Sequence, residues 1–416
     1  MIAAEEAPLH VPDREELIFL LSEAAELEHG LMCSYLFAAF SLRRDTSGLG
    51  VEEQAAVARW RDSIRAVAIE EMLHLTLVLN LLSSIGAAPH LQRPNLPVTP
   101  GFYPPEVVVA LRPFSDETLE HFIFLERPAG HDEEPARPDQ RPRRPRQLVA
   151  SAQDYTTVGQ LYRGIEAGLT HLASTLGEER LFLGDRRVQV GPSLLALEGL
   201  ETVHDLASAR AAIERIIEQG EGARGFAARS HHDRFHDILD ELRALKKARP
   251  AFEPARPVVT NPVMNRPAAG SPVVHVDAPL AARVLDLANA SYGLMVQLLA
   301  RFFGQFEPDE TRRVLGDAAI TLMSGAIAPL ADLLTTLPAS ESVPGRTAGI
   351  SFALPRSTHA LPQREAAWAL LEERAREIAS ACAGAPAEVS ATLARVASVL
   401  RSVADRLRAG RPARSP

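Results

Sequence analysis

The chain is poor in cysteine, with only Cys33 and Cys382 among its 416 residues. That excludes a disulfide scaffold or a cysteine-rich zinc site and suits a reducing cytoplasm, the compartment expected here. Aromatic residues make up only 5%, and with alanine and leucine dominant this scarcity favours helix over sheet. Basic charge is in deficit: 44 Lys and Arg face 53 Asp and Glu, giving a formal net charge of -9 and a pI near 5.9. No general attraction to nucleic acid or anionic lipid follows from that balance. Met1 to Val11 carries acids and a proline in place of a basic region followed by an apolar one, so no signal peptide is expected. No uncharged apolar run reaches the roughly 18 residues of a membrane span. There is no Gly-x-x-x-x-Gly-Lys-Ser loop and no Gly-x-Ser-x-Gly elbow, which sets nucleotide hydrolysis and elbow-type hydrolysis aside.

What the sequence does contain is a long apolar stretch, Ile69 to Leu82, that carries Glu71-Met72-Leu73-His74. Residues three apart share one helix face, so this carboxylate and imidazole can reach the same ion. A buried carboxylate without a partner is too costly to keep. The usual partner is a metal inside a helical bundle, with further carboxylates from neighbouring helices.

Other helices offer those donors. Asp13 is placed to cap a first helix, Leu17 to Leu42, which contains Glu26-Leu27-Glu28-His29 and Tyr35. The spacing of Glu28 and Tyr35 resembles ferritin-like di-iron proteins of the rubrerythrin kind, where the first-helix glutamate precedes a tyrosine by seven residues; Glu28 is therefore expected to be a ligand. The second helix spans Val51 to Ile85 and closes at Gly86; Glu70, about 100° from Glu71 around it, reads as a supporting or surface group. Pro97 to Phe114 is expected to be extended, because its prolines forbid a regular helix. Arg127 to Gln147 is rich in Pro and Arg and reads as a solvated insertion. A third helix begins at Thr156-Thr157 and holds Glu166, its only acid, among apolar residues. Leu181 to Val190 reads as a hairpin around Gly184-Asp185. A fourth helix from His204-Asp205 carries Glu218 and Glu221, with Gly220 and Gly222 weakening it there. Soon after, Ser230 starts another helix, on which His231 is placed to supply the imidazole that Glu218-x-x-Glu221 lacks.

The candidate ligands are thus Glu28, Glu71 with His74, Glu166, and Glu218 or Glu221 with His231, close to the ferritin-like pattern of single Glu, Glu-x-x-His, single Glu, Glu-x-x-His. Taken together, Glu-Leu-Glu-His-Gly-Leu-Met-Cys-Ser-Tyr-Leu, Glu-Glu-Met-Leu-His-Leu, Ile-Glu-Gln-Gly-Glu-Gly and Ser-His-His-Asp-Arg-Phe resemble the ferritin-like domain of iminophenyl-pyruvate dimer synthases. The resemblance covers about residues 13 to 245. Those proteins act in violacein- and rebeccamycin-type pathways and couple two imino acids made from tryptophan-like precursors. They are much longer chains, so a stand-alone relative is expected.

The expected architecture is mainly α with minor β hairpins: a ferritin-like four-helix bundle over residues 1-248, a proline-rich linker or strap over 249-277, and a second helical bundle over 278-416. Its helices are placed at Ala278 to Phe303, Asp309 to Leu337, Gln363 to Cys382 and Ala387 to Ala409. Gly293-Leu294-Met295 echoes Gly30-Leu31-Met32, and Asp332 to Leu337 echoes Asn80 to Ile85, as a duplicated bundle without ligands would. The loop Gly345 to Phe352 is placed to approach the first bundle. His275, His359, Trp368 and Cys382 read as packing or surface residues.

A carboxylate-rich, histidine-poor set favours iron, one or two ions, or manganese, over copper or structural zinc. The expected activity is an oxidoreductase on a small amino-acid-derived molecule in a secondary-metabolic pathway, with dioxygen or peroxide as co-substrate and a homodimer as the assembly. Tyr35 and Arg234, with Tyr162 and Arg163, are the candidates for binding or gating an anionic substrate. A peroxide-consuming or metal-handling ferritin-like protein and a non-catalytic helical scaffold are the alternatives.

Overall fold

The computed structural model describes residues 9–411 apart from positions 46, 100, 105–106, 129–152, 154, 223–228, 269, 305–306 and 357–360. The Arg127–Gln147 insertion therefore lies almost wholly outside the described residues, as does His359. Two long antiparallel helices form the spine. Helix α1, Arg14–Ser41, starts where the Asp13 side chain accepts from Glu16 N at 2.9 Å. Helix α2, Val51–Ser84, ends before Gly86, whose φ of 83° a side chain would disfavour. Helix α1 is buried nearly all round over its middle and α2 over its second half, from Glu71 to Ser84, so these stretches form the centre of the bundle instead of a single amphipathic face.

The other two members of the bundle are each made of two helices laid end to end. Alongside α1 come α3, Asp116–Leu125, and then α4, Val158–Leu176. At one end of α1 the Ser41 hydroxyl accepts from Phe114 N at 2.8 Å; midway Tyr35 meets Glu126 and Glu28 meets Tyr162; near the other end Gly168 lies against Val11. Alongside α2 come α6, Leu206–Gly220, and then α7, His231–Ala248, with the one-turn helix α5, Glu178–Leu181, before them. Asn80 holds the chain ahead of α6 through Val190 O and Glu201 O at 2.9 and 3.0 Å, His74 meets Gln219 at 3.0 Å, His231 meets Glu70 at 2.8 Å, and Trp60 Nε1 donates to Glu241 at 2.7 Å. Both interruptions fall at one level, beside Glu28 and Glu71. The restarts are capped by Thr157, which accepts from Gln160 N at 3.0 Å, and by Ser230, which accepts from Asp233 N at 3.1 Å.

The remaining helices are α8, Pro279–Phe303, α9, Asp309–Leu322, which continues through a π turn, Met323–Ile327, into α10, Ala328–Leu334, then α11, Arg364–Ala381, and α12, Ala387–Gly410. They pack on one another, and their buried side chains join those of the first bundle in one continuous core. The segment 249–277 is a strap tied to both halves: Arg256 N donates to Ser41 O at 2.8 Å and Val259 N to Thr347 O at 2.9 Å. The loop 345–352 reaches the first bundle, where Arg93 Nη2 donates to Phe352 O at 2.7 Å. Among the described residues the strands are β1, Pro262–Val263, and β2, Val274–His275, paired in parallel. The segment 181–190 is therefore no hairpin: Arg186–Val188 forms a 3-10 turn, because Asp185 caps Arg187 N at 2.9 Å and winds the chain instead of extending it. Two helical stretches, Val51–Ser84 and Asp309–Leu334, are long and apolar enough to cross a membrane by length and composition, and 78% and 50% of their apolar windows are covered by the protein itself.

Candidate metal centre

Two triads of buried donors meet at the level of the interruptions: Glu28, Glu71 and His74, and Glu71, Glu126 and His231. Glu71 belongs to both. Its Oε2 lies 3.1 Å from His74 Nδ1 and its Oε1 2.9 Å from His231 Nδ1, so each oxygen faces a different imidazole, as a bridging carboxylate does. The two rings are stacked, with centroids 5.4 Å apart and planes at 30°.

The ring orientations are set from behind. His231 Nε2 donates to Glu70 Oε2 at 2.8 Å, and Glu70 is held in turn by Arg234 Nη2 at 2.9 and 2.8 Å from its two oxygens. This fixes the tautomer and turns Nδ1 toward the centre, where that buried atom makes no hydrogen bond. His74 Nε2 donates to Gln219 Oε1 at 3.0 Å and likewise turns Nδ1 inward. Tyr35 donates to Glu126, and Tyr162 to Glu28. Each inward donor except the shared Glu71 thus has one outer partner on another element.

Charge in the centre is tightly coupled. Burial raises Glu28, the facing Glu71 carboxylate adds to it, and together they bring it to about 8. Glu71 is held low: burial opposes its ionisation, but the imidazoles of His74 and His231 prevail. Burial alone would lower His74, yet Glu71 and Glu28 outweigh it and bring it to about 10. His231 is raised by the same contest. Carboxylate and imidazole thus favour each other's charged forms, the balance that a bound cation would otherwise supply to the carboxylates. Burial, together with Glu126 and Glu28 respectively, raises the Tyr35 and Tyr162 phenols, so both remain protonated donors. An orphaned imidazole nitrogen facing a shared, ionised carboxylate, with mixed oxygen and nitrogen donors, fits a pair of transition-metal ions.

Of the expected ligands, Glu28, Glu71, His74 and His231 come together. Glu166 does not: it is 39% exposed and pairs with Arg210 at 3.6 Å. The stripe Leu161, Ile165, Leu169 and Leu172 fixes the buried face of α4, and Glu166 lies about 100° off Ile165; Tyr162 is the α4 side chain that reaches the centre. Glu218 is half-buried and in neither triad. Glu221 lines the cavity beside the centre and pairs with Arg163 at 3.3 Å. Tyr35 and Arg234 act as outer partners, on Glu126 and Glu70. The donor missed from sequence is Glu126, which follows α3; Ser115-Asp116-Glu117 and the spacing of Leu119, Phe122 and Leu125 signalled that helix.

The cavity opens between the two interruptions and is lined by Leu125, Val158, Gly159, Ile217 and Gly220 in addition to the donors. It offers about 20 Å³ to the centres of water-sized groups, room for roughly one or two of them.

A helical bundle whose core carries carboxylate and histidine donors from all four of its members is the ferritin-like class of protein. The chain belongs to that family: the Ferritin-like family model matches residues 21–240. It is 31% identical over 428 aligned positions to a dichlorochromopyrrolate synthase of Lentzea aerocolonigenes, covering 91% of this chain and 40% of that one. It is 30% identical over 362 positions to a 2-imino-3-(indol-3-yl)propanoate dimerase of Chromobacterium violaceum, covering 82% and 34%. The chain thus spans well under half the length of both curated relatives. A ferritin-like protein of Caulobacter vibrioides is similar over 83% of this chain and all of that one, with a TM-score of 0.48 and 18% identity.

Proposed function

We propose that the chain is a metal-dependent oxidase or oxygenase that holds two non-haem iron ions and acts on a small amino-acid-derived molecule in secondary metabolism. The observation that carries this reading is Glu71 facing two imidazoles while each imidazole is oriented from behind by its own acceptor. Glu28, Glu71 and His74 would hold one ion; Glu71, Glu126 and His231 the other. Bound iron supplies one-electron redox chemistry toward dioxygen or peroxide. The chain's own part is to exclude bulk water with the surrounding leucines and isoleucines, to orient the imidazoles through Glu70 and Gln219, and to keep a phenolic proton on Tyr35 and Tyr162 beside the carboxylates. The names of the two curated relatives support an imino-acid or chlorinated indole-derived substrate class. The two free, buried cysteines accord with a cytoplasmic setting.

A second reading, a peroxide-consuming ferritin-like protein, is favoured by one observation: the cavity as it stands admits water-sized molecules only. Elemental analysis of protein purified without chelator tests the metal reading. About two iron per chain is expected, with loss in Glu71→Ala and His74→Ala. Metal-free protein in all three forms, each folded by circular dichroism, refutes it. Dioxygen consumption with an aromatic 2-imino acid, against peroxide consumption without one, then separates the two readings.

A further inference from the structure

One residue of the cavity wall, Glu221, belongs to an ion pair in an unusual seat. Gly159, in the first turn of α4, has no side chain, and the Glu221 carboxylate takes its place: a Cβ added there would lie 1.6 Å from Glu221 Oε1 and 2.8 Å from Arg163 Nη2. Arg163, one turn further along α4, reaches both carboxylate oxygens at 3.3 Å. The hollow thus combines a guanidinium, the N-terminal turn of a helix and a missing Cβ, and it is filled by a carboxylate. The arginine is 42% exposed while the carboxylate is 9% exposed, so the anion faces inward and the cation outward. The same Glu221 lines the cavity that reaches Glu28, Glu71 and His74. The cavity as it stands has room for water-sized groups only, and Glu221 is part of its wall.

We propose that this hollow is the binding site for the carboxylate of a small 2-imino or 2-oxo acid, and that Glu221 occupies it in the substrate-free protein as an internal stand-in. On binding, the substrate carboxylate takes the place of the Glu221 carboxylate on Arg163 and over Gly159, and the departing side chain opens the cavity so that the carbon adjacent to the carboxylate faces the metal centre. Glu221 is the C-cap of α6 and is followed by Gly222, at φ 86°, so its side chain sits at a helix end and can swing without unwinding an interior turn. The inference rests on the proposed function for the identity of the acid; the hollow itself rests on geometry alone.

A structural ion pair and a self-occupied anion site differ in the sign of their mutational effects. Full-length, iron-loaded protein is titrated anaerobically with indole-3-pyruvate and with its methyl ester by calorimetry. The acid should bind at least about tenfold more tightly than the ester. Arg163→Gln should abolish that preference, whereas Glu221→Gln should tighten the acid about fivefold, leave the ester unchanged and retain the wild-type iron content. Effects of the same sign in both variants, no preference for the acid, or loss of iron in Glu221→Gln would each overturn the proposal; the last would make Glu221 a ligand. Absence of binding by either compound would overturn both this site and the substrate class. Arg163-dependent binding of the acid by protein that takes up no iron when iron is supplied would leave the site standing and remove the oxidase reading.

Discussion

Substituting Glu71 by Gln tests the shared-ligand geometry more sharply than removing any other donor. The two Glu71 oxygens point to different imidazoles at 3.1 and 2.9 Å, so a single neutralisation withdraws an anionic donor from both positions at once. Altering even an outer partner of a metal ligand typically weakens binding about 10- to 100-fold. Loss of an inner anionic donor should therefore cost at least about 100-fold for each ion, or ~2.7 kcal/mol apiece. Glu28→Gln should weaken only the ion beside His74, because Glu28 stands in one triad; His231→Gln should weaken only the ion beside Glu126. Competition with a chromophoric chelator, combined with elemental analysis, reads the stoichiometry and both affinities. The pattern expected is two ions lost in Glu71→Gln and one in each of the others. A Glu71→Gln protein that keeps one ion at wild-type affinity, or a Glu28→Gln protein that loses both equally, would refute the assignment of Glu71 as the bridge.

Further outcomes follow from residues around the centre. Glu70→Gln loosens the acceptor that fixes His231, and should weaken one ion about 10- to 100-fold while sparing the other; equal effects on both would refute its role. Glu23, 6% exposed and hydrogen-bonded to Tyr155 at 2.6 Å, is raised from 4.5 to about 7, mainly by burial. Its folded form holds the proton more tightly than the unfolded chain, so stability is greatest below about pH 4.5 for this group and declines as pH rises toward 7, by up to ~3 kcal/mol. Urea titrations of wild type and Glu23→Gln over that range should differ by this slope, and parallel curves would contradict it. Tyr292 donates to His29 Nε2 at 2.6 Å and accepts from Arg93 at 3.0 Å between the two helical halves. Tyr292→Phe should cost about 1–3 kcal/mol by leaving those buried groups short of a partner, and an unchanged denaturation midpoint would show that they find another.

Much of the centre was legible in the sequence, and for a physical reason. Glu71 and His74 stand three apart on a helix that is otherwise apolar, and ionisable groups in such a setting need an inward partner. His231 was legible because Ser230 announces a helix start immediately before it. Glu126 escaped because its helix is ten residues long and lies between proline-rich stretches, so its cap and its Leu119, Phe122, Leu125 stripe were outweighed by the surrounding composition. Glu166 was misplaced by a rule that a lone acid among apolar residues faces inward; counting the stripe Leu161, Ile165, Leu169 would have turned it out to solvent. The end-to-end stacking of α3 on α4 and of α6 on α7 could not be read at all, since a one-dimensional pattern shows where helices stop but not which ones share an axis. The hairpin expected at 181–190 failed because Gly184-Asp185 is a helix-start signal as well as a turn signal.

Because both of its outer members are interrupted beside the donors, this bundle separates its permanent parts from its exchangeable ones. The spine of α1 and α2 fixes Glu28, Glu71 and His74 by uninterrupted helical geometry, whereas the outer members end at Leu125 and Gly220 and resume at Val158 and His231. Segments of any length or composition can be carried at those two exits without altering the spacing of a single donor on the spine. A change in the length of chain between Leu125 and Val158 or between Gly220 and His231 therefore leaves the three donors on the spine where they are.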